Sequence, residues 1–182
     1  MNEFAKYVLE KHGNDLRKSS INNFNLPYYY HLFQVANLVY KLGFGSEENL
    51  SVSNGHDLFE EKKKKEEEVE NLTSSSVLNS IKLLTKDESE DKKLYLKSFS
   101  NKPIDVLIIK ICDRLCNVAD FTCSDTKYAK IYFEKANVLF NYFVSRKDEV
   151  VDKYGVLAFN ELNNLISCFK EKLNLNQKII LI

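Results

Sequence analysis

Of the three histidines in the chain, two stand where a metal ligand could stand. His31 follows three tyrosines in "PYYYHLFQVANLVYKLG", at the entrance to an amphipathic run, and His56 is followed at once by Asp57 in "HDLFEE". A third feature is Asp113 in "DVLIIKICDRLCNVADF", a segment nearly apolar all round for two turns. Burying a carboxylate among Ile, Leu and Val costs several kcal/mol unless a cation, a metal or a set of hydrogen bonds compensates it. Arg114 is adjacent, but neighbours on a helix point about 100° apart, so the partner of Asp113 is expected from elsewhere in the chain. The order H…HD…D supplies two imidazoles and two carboxylates. Such a mixed nitrogen and oxygen set suits Mn²⁺, Fe²⁺ or Zn²⁺ better than Ca²⁺ or Mg²⁺. Four ligands leave positions on an octahedral ion open for water and a phosphate oxygen. A lone histidine near a helix start, or a lone HD pair, carries little information; the ordered combination carries much more.

These residues need helices to position them. Phe4, Tyr7 and Val8 share a face of a run from about Glu3 to His12, which the polar stretch "GNDLRKSSINNFN" breaks. After Pro27 the apolar residues Leu32, Val35, Ala36, Val39 and Leu42 recur at helical spacing, and Gly43 ends the run as a C-terminal cap. His31 therefore belongs to the first turn of a core helix. Residues 45–75 are the most polar part of the chain, and the run "KKKKEEEVE" reads as a solvated helix or a mobile loop. Helical period returns with Val77, Ile81 and Leu84, and again with Leu107, Ile108, Ile111, Leu115 and Val118. Two further amphipathic runs, Tyr128 to Phe143 and Val156 to Phe169, complete the pattern. The expectation is an all-α helical bundle folded as a single domain over residues 1–182, a length that supports one full core.

Composition narrows the function classes. The formal net charge is zero, so no long-range field draws nucleic acid or anionic lipid to the chain. No stretch approaches the ~20 apolar residues needed to span a bilayer, and Glu3 stands near the start with no signal-peptide core behind it. A cytoplasmic address is expected. Three of the four cysteines, Cys112, Cys116 and Cys123, fall within twelve residues of one another, and free thiols are expected in a domain too large to need staples. A zinc site built on Cys112 and Cys116 is disfavoured, because Asp113 would then point away from the ion.

The arrangement resembles the HD-domain metal-dependent phosphohydrolases, and among them the hydrolase domains of the RelA/SpoT homologues, particularly the small stand-alone alarmone hydrolases. The resemblance runs over roughly residues 5–140. A PY-x-x-H element is matched by Pro27, Tyr28 and His31; HD-x-x-ED by His56, Asp57, Glu60 and Glu61; and K-x-A-D-[RK]-x-x-N by Lys110, Asp113, Arg114 and Asn117. The resemblance implies a helical bundle around Mn²⁺ held by His31, His56, Asp57 and Asp113. The implied reaction is removal of pyrophosphate from the 3′ position of guanosine tetra- or pentaphosphate. Positions 57, 60 and 61 would share one helix face, letting Glu60 and Glu61 orient and deprotonate the attacking water, with Asn117 supporting the site. For the guanine nucleotide the resemblance implies Arg17 and Lys18 ahead of the first histidine, Lys86 in "LTK" and Tyr132 in "YFEKA".

The chain departs from the pattern at three places. Gly55 stands directly before His56 in "SVSNGHD", Glu61 replaces an aspartate, and Leu32 replaces a proline. Glycine costs ~1 kcal/mol within a helix and the polar neighbours offer no anchor to a core, so a loosely held approach to His56 is expected. Two rival readings follow. One keeps the metal and changes the substrate, for example to the 2′-phosphate of NADPH. The other is a catalytically decayed bundle that binds a partner through the charged run or the tail "KIILI".

Overall fold

The protein is described here by a computed structural model covering residues 3–17, 26–60 and 66–179, the last six of these as backbone alone. Local chemistry sets many of its helix starts. The Ser46 hydroxyl accepts from the Asn49 N–H and opens α3 (Glu47–Gly55), and Ser74 does the same for α5 (Ser75–Leu84). The Asp91 carboxylate caps α6 (Lys92–Ser98), and Asp125 caps α8 (Thr126–Ser145). The remaining helices among the described residues are α1 (Glu3–Lys11), α2 (Tyr29–Val39), α4 (Glu66–Leu72), α7 (Ile104–Ser124) and α9 (Lys147–Ile179). Beside them stands an isolated antiparallel bridge between Leu16 and Pro27, which clasps the chain after α1 to the start of α2. The all-α expectation holds.

Helix α7 is the axis of the molecule. It packs along α8 and against α2, α3 and α5, while α9 covers α8 and the π-helical turn that follows α2. Its apolar run is buried almost throughout, and Lys110, Asp113 and Arg114 are buried with it. Gly43 ends the α2 run with φ of 86°, a backbone conformation costly for other residues. Gly155, with φ of 87°, breaks α9, so the amphipathic run beginning at Val156 starts at that break. Two elements escaped the sequence reading: α6, too short to show a period, and the segment of α9 before Gly155. No helix among the described residues is long and apolar enough to cross a membrane. All four cysteines are free, Cys112 and Cys116 buried, Cys123 and Cys168 exposed.

The polar approach to His56 is not loosely held, which corrects the expectation. In α3, Val52, Ser53 and Gly55 are buried. The Ser53 hydroxyl donates to the Asn49 carbonyl, and the Asn49 amide donates to the Phe44 carbonyl and the Tyr154 hydroxyl, so polar residues become interior ones. Gly55 is there for space: a Cβ would lie 2.7 Å from both Ile81 Cδ1 and Phe4 Cζ. Gly55→Ala is therefore expected to destabilise the fold by about 1–3 kcal/mol through overpacking, against alanine's higher helix propensity, as a lower urea midpoint would register. In the charged run, Val69 of α4 is fully buried and Glu68 accepts from Tyr7 and Lys11, both at 2.9 Å. Residues 61–65 lie outside the described residues.

Candidate active site

His31, in the first turn of α2, His56, just past α3, and Asp113, midway along α7, converge, with one ligand atom from each lying within 4.8 Å of the others. His31 Nε2 is 3.1 Å from Asp113 Oδ1 and 3.9 Å from Asp57 Oδ2. His56 Nε2 is 3.2 Å from Asp57 Oδ2 and 3.8 Å from Asp113 Oδ1. Each approach has a local cause. Tyr28 donates its hydroxyl to Asp57 Oδ2 at 2.5 Å. His56 Nδ1 lies 2.7 Å from the Ser53 carbonyl, an acceptor that fixes the ring and turns Nε2 inward. That Nε2 is buried without an aligned hydrogen-bond partner. Two imidazole nitrogens and two carboxylates crowding one buried point make a donor set that a divalent cation fits. Asp57, Leu58 and Glu60 lie in tight turns after α3, so Asp57 and Glu60 meet in one cavity through turn geometry and not through the helix face expected.

Electrostatics compensate the buried charges. Burial alone would push the Asp113 carboxyl up, but Lys110, 3.0 Å away on the same helix, and the two histidines hold it well below the carboxylate range. The expectation that its partner comes from elsewhere is thus half met: His31 does, while Lys110 lies one turn back. Burial likewise raises Asp57, and the charge on His56 outweighs it and lowers it. Burial depresses His56, but Asp57 and Asp113 lift it to about 10. For protein stripped of metal by a chelator these shifts set a pH window. His56 is raised above its ordinary 6.5, so its contribution is complete below that pH and is lost as pH climbs to about 10. Asp57 and Asp113 are depressed below 3.8, so theirs is complete above that pH and is lost on acidification. Urea denaturation should show maximal stability between about pH 4 and 6.5; a flat profile from 6.5 to 10 would contradict the pairing.

Asn117, one turn beyond Asp113, donates its amide to Asp113 Oδ1 at 2.6 Å and to the Asp113 carbonyl at 3.0 Å. Its own carbonyl accepts from Arg17 Nη2 at 2.8 Å, and the same nitrogen is 2.8 Å from Asp120 Oδ2. Arg17 and Asp120 are both buried at this contact, and the guanidinium stands 5.5 Å from the Tyr28 ring centre. Arg17, expected at the guanine base, is held here by Asn117 and Asp120. Asp120→Ala leaves that guanidinium buried without an anion, and a loss of about 3–5 kcal/mol is expected. An Arg17→Met, Asp120→Ala double variant should recover part of it in the same urea titration.

Above the convergence lies a cavity of about 360 Å³. Asp57, Glu60, Glu88 and Asp113 face it together with the cations Lys86, Lys92, Lys110 and Arg114 and the rings of Tyr28, Tyr95 and Tyr132. Burial raises the Glu60 carboxyl above its ordinary range, and the charge of Asp57 adds to that. Lys86 donates to the Glu90 carbonyl at 3.1 Å, and Arg114 lies 4.6 Å from the centre of the Tyr132 ring. Lys18 and Glu61 fall outside the described residues. Sequence reasoning gave no role to Tyr28, Lys110, Arg114, Asp120 or Lys92. The first three lay within the matched motifs, and the burial argument applied to Asp113 extends to Lys110 and Arg114 as well. Lys92 and Tyr95, from α6, carried no signal in the sequence.

No protein-family model matches the chain, and no curated protein sequence matches it. Solved structures do match. One, described as "A metazoan ortholog of SpoT hydrolyzes ppGpp and plays a role in starvation responses", superposes with a TM-score of 0.74 over 93% of this chain and 93% of its own, at 19% sequence identity. At that identity the likeness is one of architecture: the helices that bring His31, His56 and Asp113 together follow the fold of a metazoan SpoT orthologue.

Proposed function

We propose that the protein is a divalent-metal-dependent hydrolase that releases pyrophosphate from the 3′ position of guanosine tetra- or pentaphosphate, with Mn²⁺ as its ion. The observation that carries this reading is the buried meeting of two imidazoles with two carboxylates under a cavity lined by cations. The metazoan SpoT orthologue of the same fold, which hydrolyses ppGpp, supports it. His31, His56, Asp57 and Asp113 would hold the ion. When bound, it supplies positive charge against the phosphate oxygens and acidity to the attacking water. Tyr28 and Asn117 keep Asp57 and Asp113 aimed at the centre. Glu60, its carboxyl raised by burial, takes the proton from the water, and Glu61 assists it. Lys86 and Tyr132 receive the nucleotide, and Lys18 joins them. Arg17 acts through Asn117.

The test is a nucleotide panel with Mn²⁺, assayed separately for pyrophosphate and orthophosphate. Pyrophosphate from the 3′-diphosphorylated guanosine nucleotides is the expected product. Orthophosphate alone, or release only from NADPH, would replace the alarmone with another substrate. No bound transition metal, and no loss of thermal stability on chelation, would leave only an interaction module.

A further inference from the structure

Burying a guanidinium without an anion is costly, so a buried arginine that faces a cavity and lacks a carboxylate partner marks a place where an anion belongs. Three cations of the site are nearly fully buried, and they differ in this respect. Arg17 has Asp120 at 2.8 Å, and Lys110 has Asp113 at 3.0 Å. Arg114 is 6% exposed and lines the cavity, and its Nε is buried with no hydrogen-bond partner. Among the described residues no carboxylate comes within ion-pair distance of it. The oxygens of its neighbour Asp113 are taken up by Lys110, Asn117 and His31.

What holds Arg114 in place is the Tyr132 ring, 4.6 Å below the guanidinium, a contact that orients the planar fork without using its N–H donors. Lys92 lines the same cavity from α6. Burial and then the charge of Arg114 push its ammonium below the ordinary value, against the pull of Glu60, so two cations share a cavity whose acids form no ion pair with Arg114. Arg114 follows Asp113 directly, which turns it about 100° round α7. Arg114 is therefore turned to one side of the point where the histidines and carboxylates meet.

We propose that Arg114 and Lys92 form a subsite for a phosphate or diphosphate group of the substrate other than the one that is cleaved, such as the 5′-diphosphate of a nucleotide. The planar fork of Arg114 meets two phosphate oxygens at once, and Lys92 adds a second charge. Acids at the floor of the cavity and cations at this wall then sort a doubly phosphorylated nucleotide into one orientation. The proposal rests on the hydrolase reading only for which group is cleaved.

Guanosine 5′-diphosphate, which carries no 3′ group, is the probe, titrated calorimetrically into the full chain in the presence of chelator. Wild type should bind it, Arg114→Gln at least tenfold more weakly, and Arg114→Lys in between. With the 3′,5′-diphosphorylated substrate and Mn²⁺, the penalty of Arg114→Gln should fall on KM more than on kcat. It should shrink below threefold for a guanosine 3′-diphosphate bare at the 5′ position. Wild type that fails to bind the probe, or Arg114→Gln that binds it equally, overturns the subsite. If Arg114→Gln loses its thermal transition, Lys92→Gln carries the test: binding at least threefold weaker supports the proposal, and unchanged binding overturns it. Probe binding that depends on Arg114 without any hydrolysis would keep the subsite and sink the hydrolase reading.

Discussion

Asp113→Asn is expected to slow Mn²⁺-dependent pyrophosphate release by about 10³-fold or more, a barrier increase of about 4 kcal/mol. The substitution keeps the shape of the side chain and removes one of two carboxylate charges from the point where His31 and His56 converge. Metal binding supplies an independent readout. Mn²⁺ at a hundred times its dissociation constant should stabilise wild type by about 2.7 kcal/mol, and the variant should gain nothing. The variant also strands the buried Lys110 ammonium, at a cost of about 3–5 kcal/mol. Lys110→Met, Asp113→Asn is therefore the charge-balanced control, expected to be more stable than the single variant and equally inactive. Equal rates for wild type and Asp113→Asn would discard the mechanism.

Glu60→Gln should lower kcat by about 10²–10⁴-fold while leaving Mn²⁺ affinity nearly intact, because Glu60 faces the cavity beside Asp57 without entering the cluster of His31, His56 and Asp113. Burial and the neighbouring Asp57 raise the Glu60 carboxyl. A base of that kind works only once deprotonated, so wild-type activity should fall as pH drops through the raised pKa. The residual activity of Glu60→Gln should lack that acid limb. A variant that kept both the limb and the rate would move the proton transfer to another group, Glu61 first.

How much of the site was legible varied with the kind of signal. His31 and Asp113 could be picked out because each is a residue type whose burial demands compensation, set in an apolar period, while His56 and Asp57, in the most polar part of the chain, stood out only as an adjacent pair within the order H…HD…D. Glu60 and Glu61 looked like the start of a charged surface run, and only the resemblance to a family gave them work. Gly55 misled: read along the chain it weakens a helix, yet across the fold it is the only residue that lets α3 approach Phe4 and Ile81. Arg17 was read as facing the nucleotide, and its capture by Asn117 and Asp120 depends on contacts 100 and 103 residues apart.

Helical period and the price of burying charge were enough, from residue types and spacing alone, to indicate an all-α chain with a mixed histidine and aspartate cation site. Which charge meets which was decided by tertiary structure. Pairing energies depend on distance and on exclusion of water, and neither is a property of a residue's place in the chain. Arg17 and Arg114 are both arginines with buried side chains, yet the fold brings Asp120 to the first from 103 residues away and leaves the second facing an open cavity.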